Sequence, residues 1–132
     1  MLEELARETS ASTSARSRVA LAGLLAASGD VQAARGLIDA VLAGEYRDHH
    51  VEYGIGAALA QLGDARGAVE WLRRAADSGF PCVVWYERDP WLDPLRKVPA
   101  FRDLSADLAA RRDAAMSRFR ESEQHAATAP TR

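Results

Sequence analysis

A single cysteine, Cys82, in 132 residues leaves no internal disulfide to build with, the ordinary condition of proteins in reducing compartments. Long apolar runs are also missing: none approaches the roughly 20 residues that span a bilayer. The opening Met1-Leu2-Glu3-Glu4-Leu5-Ala6 is acidic and amphipathic, whereas a secretory leader starts basic. Nor is there a basic excess. Seventeen Lys and Arg against 19 Asp and Glu give a net charge of −2, which disfavours a phosphate-binding surface. The nine glycines form no phosphate-cradling loop; they fall mostly where helices should end or cross. These absences lead to the expectation of a cytoplasmic protein with neither nucleic acid nor membrane as partner. The length suits one domain. Hydrophobic residues make up 48% of the chain, and many are alanine, the best helix former and one that lets helix axes approach closely.

What the chain does contain is one helical hairpin written twice, 34 residues apart. Ser28-Gly29-Asp30-Val31-Gln32-Ala33-Ala34 aligns with Leu62-Gly63-Asp64-Ala65-Arg66-Gly67-Ala68, and Leu25-Ala26 aligns with Leu59-Ala60. A fixed period of this size marks stacked helix pairs, none of which can bury its apolar face alone. Helices are predicted near 15–28, 31–43, 49–62 and 65–78. Ser14, Asp30, Asp48 and Asp64 stand where N-caps belong, and Gly29, Gly44, Gly63 and Gly79 where left-handed C-terminal stops belong. Leu21, Leu24, Leu25, Leu37, Ile38, Val41 and Leu42 should form the first core; Ile55, Leu59, Leu62, Val69, Leu72 and Ala75 should form the second. Small residues fall where paired helices should cross, Ala22 with Ala34 and Gly56 with Ala68.

After Phe80 the pattern changes. Asp89-Pro90 and Asp93-Pro94 each read as a stop and restart, in a stretch dense with Trp85, Tyr86, Trp91, Leu92 and Leu95. Pro99 opens a last helix whose apolar residues Phe101, Leu104, Leu108, Ala115 and Phe119 keep helical spacing. The expected organisation is a short leading helix and linker over 1–14, with the linker at 9–14, and repeats over 15–48 and 49–82. An aromatic connector over 83–98 and a capping helix over 99–121 follow, and a disordered tail over 122–132.

Sharper chemistry finds little support. His49, His50 and Cys82 suggest a small metal protein or enzyme, but metal ligands recur at i and i+3 or i+4, and adjacent histidines do not share that face. Cys82 has no local base to activate it and reads as a small buried hydrophobe. Asp89 and Asp93 precede prolines and read as caps, and Glu87 and Arg88 as solvated. Arg111, Arg112, Arg118 and Arg120 on the last helix are offset by Asp107, Asp113 and Glu121. No catalytic residue, metal or cofactor is expected.

These residues resemble the tetratricopeptide repeat. Counting each unit from Ala15 and His49, the family's small residue at the eighth position is met by Ala22 and Gly56. Its glycine before the turn is met by Gly29 and Gly63, and its alanine at the twentieth position by Ala34 and Ala68. Its bulky residue at the twenty-fourth position is met by Ile38 and Leu72. The aromatic expected at the fourth position is replaced by Arg18 and Glu52. The stretch from Gly79-Phe80 to Pro99-Ala100-Phe101 resembles the closing segment of repeat arrays in bacterial signalling proteins. The resemblance implies an all-α superhelix of two repeats, connector and cap, acting as a non-enzymatic scaffold for a protein or peptide partner. It also implies a concave groove formed by Arg16, Val19, Gly23, Ala26, Ala27, His50, Tyr53, Ala57, Ala60 and Gln61. Tyr53 should be its anchor, with truncation weakening a partner but not the fold. A homodimer, in which the groove meets no foreign peptide, is left open.

Overall fold

The structure, a computed structural model, describes residues 1–128, apart from the side chains of residues 2 and 5–9. It is all-helical: α1 (Leu2–Ala27), α2 (Val31–Ala43), α3 (His49–Gln61), α4 (Ala65–Ser78), α5 (Val83–Arg88), a 3-10 helix (Pro90–Leu95) and α6 (Pro99–Thr128). Among the described residues there is no strand, and no helix long and apolar enough to cross a membrane. Helix α1 pairs with α2, α3 with α4, and α1 with α3; the 3-10 helix lies on α3, and α6 closes over α4 and α5.

The turns form for local reasons. The Asp30, Asp48 and Asp64 carboxylates accept the N–H groups of Ala33, Val51 and Gly67 at 3.2, 2.8 and 3.0 Å, each satisfying an amide that the helix start leaves unpaired. Gly29 and Gly63 take φ of 91° and 81°, so the chain reverses where a side chain would be strained. Gly44 differs from expectation: it is extended, at φ −78° and ψ 161°. The Arg47 guanidinium reaches back to the carbonyls of Val41 and Leu42 at 3.2 and 3.4 Å. The end of α2 is thus satisfied by a side chain, without a left-handed glycine.

Crossings are set by missing atoms. A Cβ on Gly56 would lie 2.8 Å from Leu72 Cγ and 3.1 Å from the Ala68 carbonyl oxygen, where α3 crosses α4. One on Gly54 would lie 3.0 Å from Val19 Cβ and closer still to its Cγ2, where α3 meets α1. The core runs from Ala15 through Ile38, Ile55 and Leu72 to Tyr86, Leu95, Phe101 and Leu108.

Several expectations need correction. Residues 9–14 are not a linker: α1 is continuous from Leu2, so Ser14 lies within it and caps nothing. That stretch holds no glycine or proline, and its serines and threonines are only mildly unfavourable in a helix. In the first hairpin Leu21, Leu24 and Leu42 are 47%, 57% and 39% exposed, outside the core. Their counterparts 34 residues on, Ile55, Ala58 and Ala76, are buried. The difference is neighbours, because the second hairpin is covered by α1, the 3-10 helix and α6, the first chiefly by the second. Asp93-Pro94 does not restart a helix but lies inside the 3-10 turn. In α6 only Phe101, Leu104 and Leu108 are buried; Ala115 and Phe119 are exposed. Residues 122–128, expected to be disordered, continue α6; 129–132 lie outside the described residues.

Candidate functional site

The connector decides the shape of the surface between α1 and α3. It is pinned from within by Tyr86, whose ring is buried and whose hydroxyl lies 2.9 Å from the Phe80 carbonyl and 3.2 Å from that of Leu72. Arg96 fastens it from the other side, donating to the carbonyls of Tyr86 at 2.6 Å and Asp89 at 2.7 Å, with its guanidinium 5.5 Å from the centre of the Phe101 ring. Planar Arg can bridge two carbonyls and stack at once. Asp89 ends α5 and caps the 3-10 helix, accepting the Trp91 N–H at 3.0 Å.

Thus held, Asp89 and Trp91 form a wall over the α1–α3 surface. The Tyr53 hydroxyl donates to Asp89 Oδ2, and Gln61 Nε2 donates to the Trp91 carbonyl at 2.8 Å. A Cβ on Gly23 would sit 3.7 Å from the Trp91 ring. What remains open is a cleft of about 280 Å³ lined by Val19, Ala20, Gly23, Leu24, Tyr53, Gly54, Ala57, Ala58, Asp89 and Trp91. Its walls are apolar and mostly small, with one carboxylate.

Of the residues expected to line a groove, Val19, Gly23, Tyr53 and Ala57 come together here. Ala26 and Ala60 are buried in the core, and Ala27 is exposed. Gln61 is spent on the connector. Arg16 and His50 gather elsewhere, around Asp48. Arg16 donates to Asp48 Oδ2 at 2.6 Å, Tyr46 to the same oxygen at 2.9 Å, and His50 Nδ1 lies 3.7 Å from it. Burial raises the Asp48 pKa, but the Arg16 bond, the Val51 N–H and the Tyr46 hydroxyl outweigh it and hold the carboxyl well below the usual range.

Tyr53 is not the free anchor expected. Half-buried, it packs edge-on against Phe80 and Tyr86 at 5.4 and 5.3 Å between ring centres, so truncating it must disturb the fold. Burial and then the adjoining Asp89 carboxylate push its pKa up; the phenol stays a donor.

The two histidines were expected to diverge, yet their ring centres lie 4.2 Å apart, the planes tilted by 36°, and 6.3 and 6.5 Å from that of Phe80. Cys82 is exposed at the start of α5, not buried. Among the described residues no three His, Cys, Asp or Glu side chains converge as metal ligands would. Asp89 and Trp91 were visible in the sequence only as a cap and as packing, because their partners, Tyr53, Gly23 and Gln61, lie far back in the chain. No protein-family model, no curated protein and no solved structure matches the chain.

Proposed function

We propose that this protein is a non-enzymatic, tetratricopeptide-type binding module whose α1–α3 cleft receives a segment of a partner protein. The observation that carries the reading is the cleft itself: exposed Ala20 and half-buried Ala57, both small, leave room beside Trp91 for a peptide backbone to approach. The paired Gly-Asp…Ala spacing supports the repeat type, and the closing segment supports a role in bacterial signalling or regulation. Concave, mostly apolar surfaces with a few fixed polar groups are what binding sites share. Ala20 is exposed at the rim, so Ala20→Trp fills the cleft without repacking the core. Affinity capture with the parent chain, Ala20→Trp and Arg112→Ala tests the reading. A partner retained by the parent and Arg112→Ala but lost by Ala20→Trp supports it; equal retention by all three removes the cleft from the argument.

A second reading is self-association, favoured by Leu21, Met116 and Phe119, which are 47%, 47% and 58% exposed among the described residues. Light scattering across concentration decides it.

A further inference from the structure

We infer that the junction at Asp89 selects a peptide carrying a lysine or arginine between apolar side chains. The inference rests on the peptide-binding reading above and specifies the chemistry of the ligand. Asp89 lines two clefts at once: the α1–α3 cleft, and a second of about 360 Å³ bounded by Cys82, Val84, Trp85, Arg88 and Pro90. Apolar side chains flank it on both sides and remain substantially exposed, Leu24 and Trp91 on one, Val84 and Trp85 on the other. Tryptophan is enriched at the centres of interfaces.

The carboxylate between them is half-buried and incompletely answered. Its side-chain hydrogen bonds come from two neutral donors, the Tyr53 hydroxyl and the Trp91 N–H. The nearest guanidinium bond, from Arg96, goes to the Asp89 backbone carbonyl. Among the described residues no Lys, Arg or His group lies within ion-pair distance of the carboxylate. Arg88 lines the outer cleft with its side chain exposed. An ionised carboxylate has about four acceptor sites, so Asp89 keeps capacity for a donor from outside. A partly desolvated charge with only neutral partners is best completed by an opposite charge. Trp91 and Trp85 line the two clefts that Asp89 shares, and indole is the ring that attracts a cation most strongly. An acidic side chain at the same place would meet like charge in a desolvated setting and be rejected.

The probe is an array of short synthetic peptides with randomised Leu, Ile, Phe and Trp flanking a fixed central Lys, Arg, Gln or Glu. Binding to the full chain is read by fluorescence polarisation. Lys and Arg series should bind at least about fivefold tighter than the Glu series. The preference should shrink with added salt and vanish in Asp89→Asn, which keeps the side chain's shape. Peptides whose binding Ala20→Trp abolishes, but which are indifferent to the central residue, overturn the cation assignment and leave the cleft reading standing. An unchanged cation preference in Asp89→Asn also overturns it, and no binding by any series overturns both. Asp89 also positions Trp91; should the Asn variant unfold, the Lys-to-Glu comparison and its salt dependence in the parent chain decide.

Discussion

The Tyr53 hydroxyl of α3 is bonded to the Asp89 carboxylate, 36 residues further along the chain. That bond joins the second hairpin to the connector and turns an expected ligand anchor into part of a wall. Tyr53→Phe keeps the ring contacts and removes the donor. It should cost about 1.5–3 kcal/mol, the range for hydrogen bonds to charged groups. Urea unfolding measures it, and a change within error would show that water replaces the phenol without penalty.

Arg96 should matter more than its place on the surface suggests. Arg96→Lys retains the charge but lacks the planar fork that meets both carbonyls while lying over the Phe101 ring. Hydrogen exchange should quicken at Trp85 to Leu95 in this variant while the α1–α2 hairpin stays protected. Uniform protection across the chain would deny Arg96 its role as the fastener.

Two glycines should respond in opposite directions. Gly56→Ala places a Cβ against Leu72 and the Ala68 backbone and should destabilise by about 1–3 kcal/mol. At Gly36, within α2, a Cβ meets nothing within 4 Å. Gly36→Ala should therefore stabilise by about 0.5–1 kcal/mol. Thermal melts of the pair check both signs.

The first half of α6 should be required and the second half dispensable for folding. Leu104→Ala empties a fully buried site and should cost about 2–5 kcal/mol. A chain ending at Arg112 keeps Phe101, Leu104, Leu108 and the 2.9 Å Arg111–Asp77 ion pair, and its melting temperature should stay close to the parent's. A large drop would mean that the exposed turns carry hidden stability.

Acid should weaken the junction at Asp48. Its carboxyl titrates lower in the folded chain than when unfolded. The resulting stability is present above the unfolded value of about 3.9 and is lost as pH falls below it. Asp48→Asn removes that component, so the loss of stability between neutral pH and pH about 3 should be smaller in the variant than in the parent. Equal slopes in urea midpoint against pH would refute the assignment.

The sequence spoke clearly wherever cause and effect lie within one turn of helix. The caps at Asp30, Asp48 and Asp64 and the reversals at Gly29 and Gly63 were legible because a carboxylate three residues before its amide, or a glycine before it, is a local pattern. The close crossing at Gly56 was legible through the repeat. Exposure of Leu21 and Leu24 was not, since periodicity shows which face is apolar but not whether anything covers it. The same holds for Phe119, and for Cys82, whose burial was inferred from residue type alone. Four of the ten cleft residues, Val19, Gly23, Tyr53 and Ala57, followed from the family resemblance. The wall of Asp89 and Trp91 did not, because polar contacts between distant segments leave no periodic trace.

Arg96 grips main-chain oxygens, which every residue at those positions possesses. Glu87, Arg88 and Pro90 point outward and take no part in that grip. Their identities are therefore free to drift while the backbone they ride on keeps its course. Close variants of this chain could thus acquire different ligand preferences by exchanging the rim around Asp89, with little loss of thermal stability, because what holds the loop and what the loop displays are encoded in separate residues.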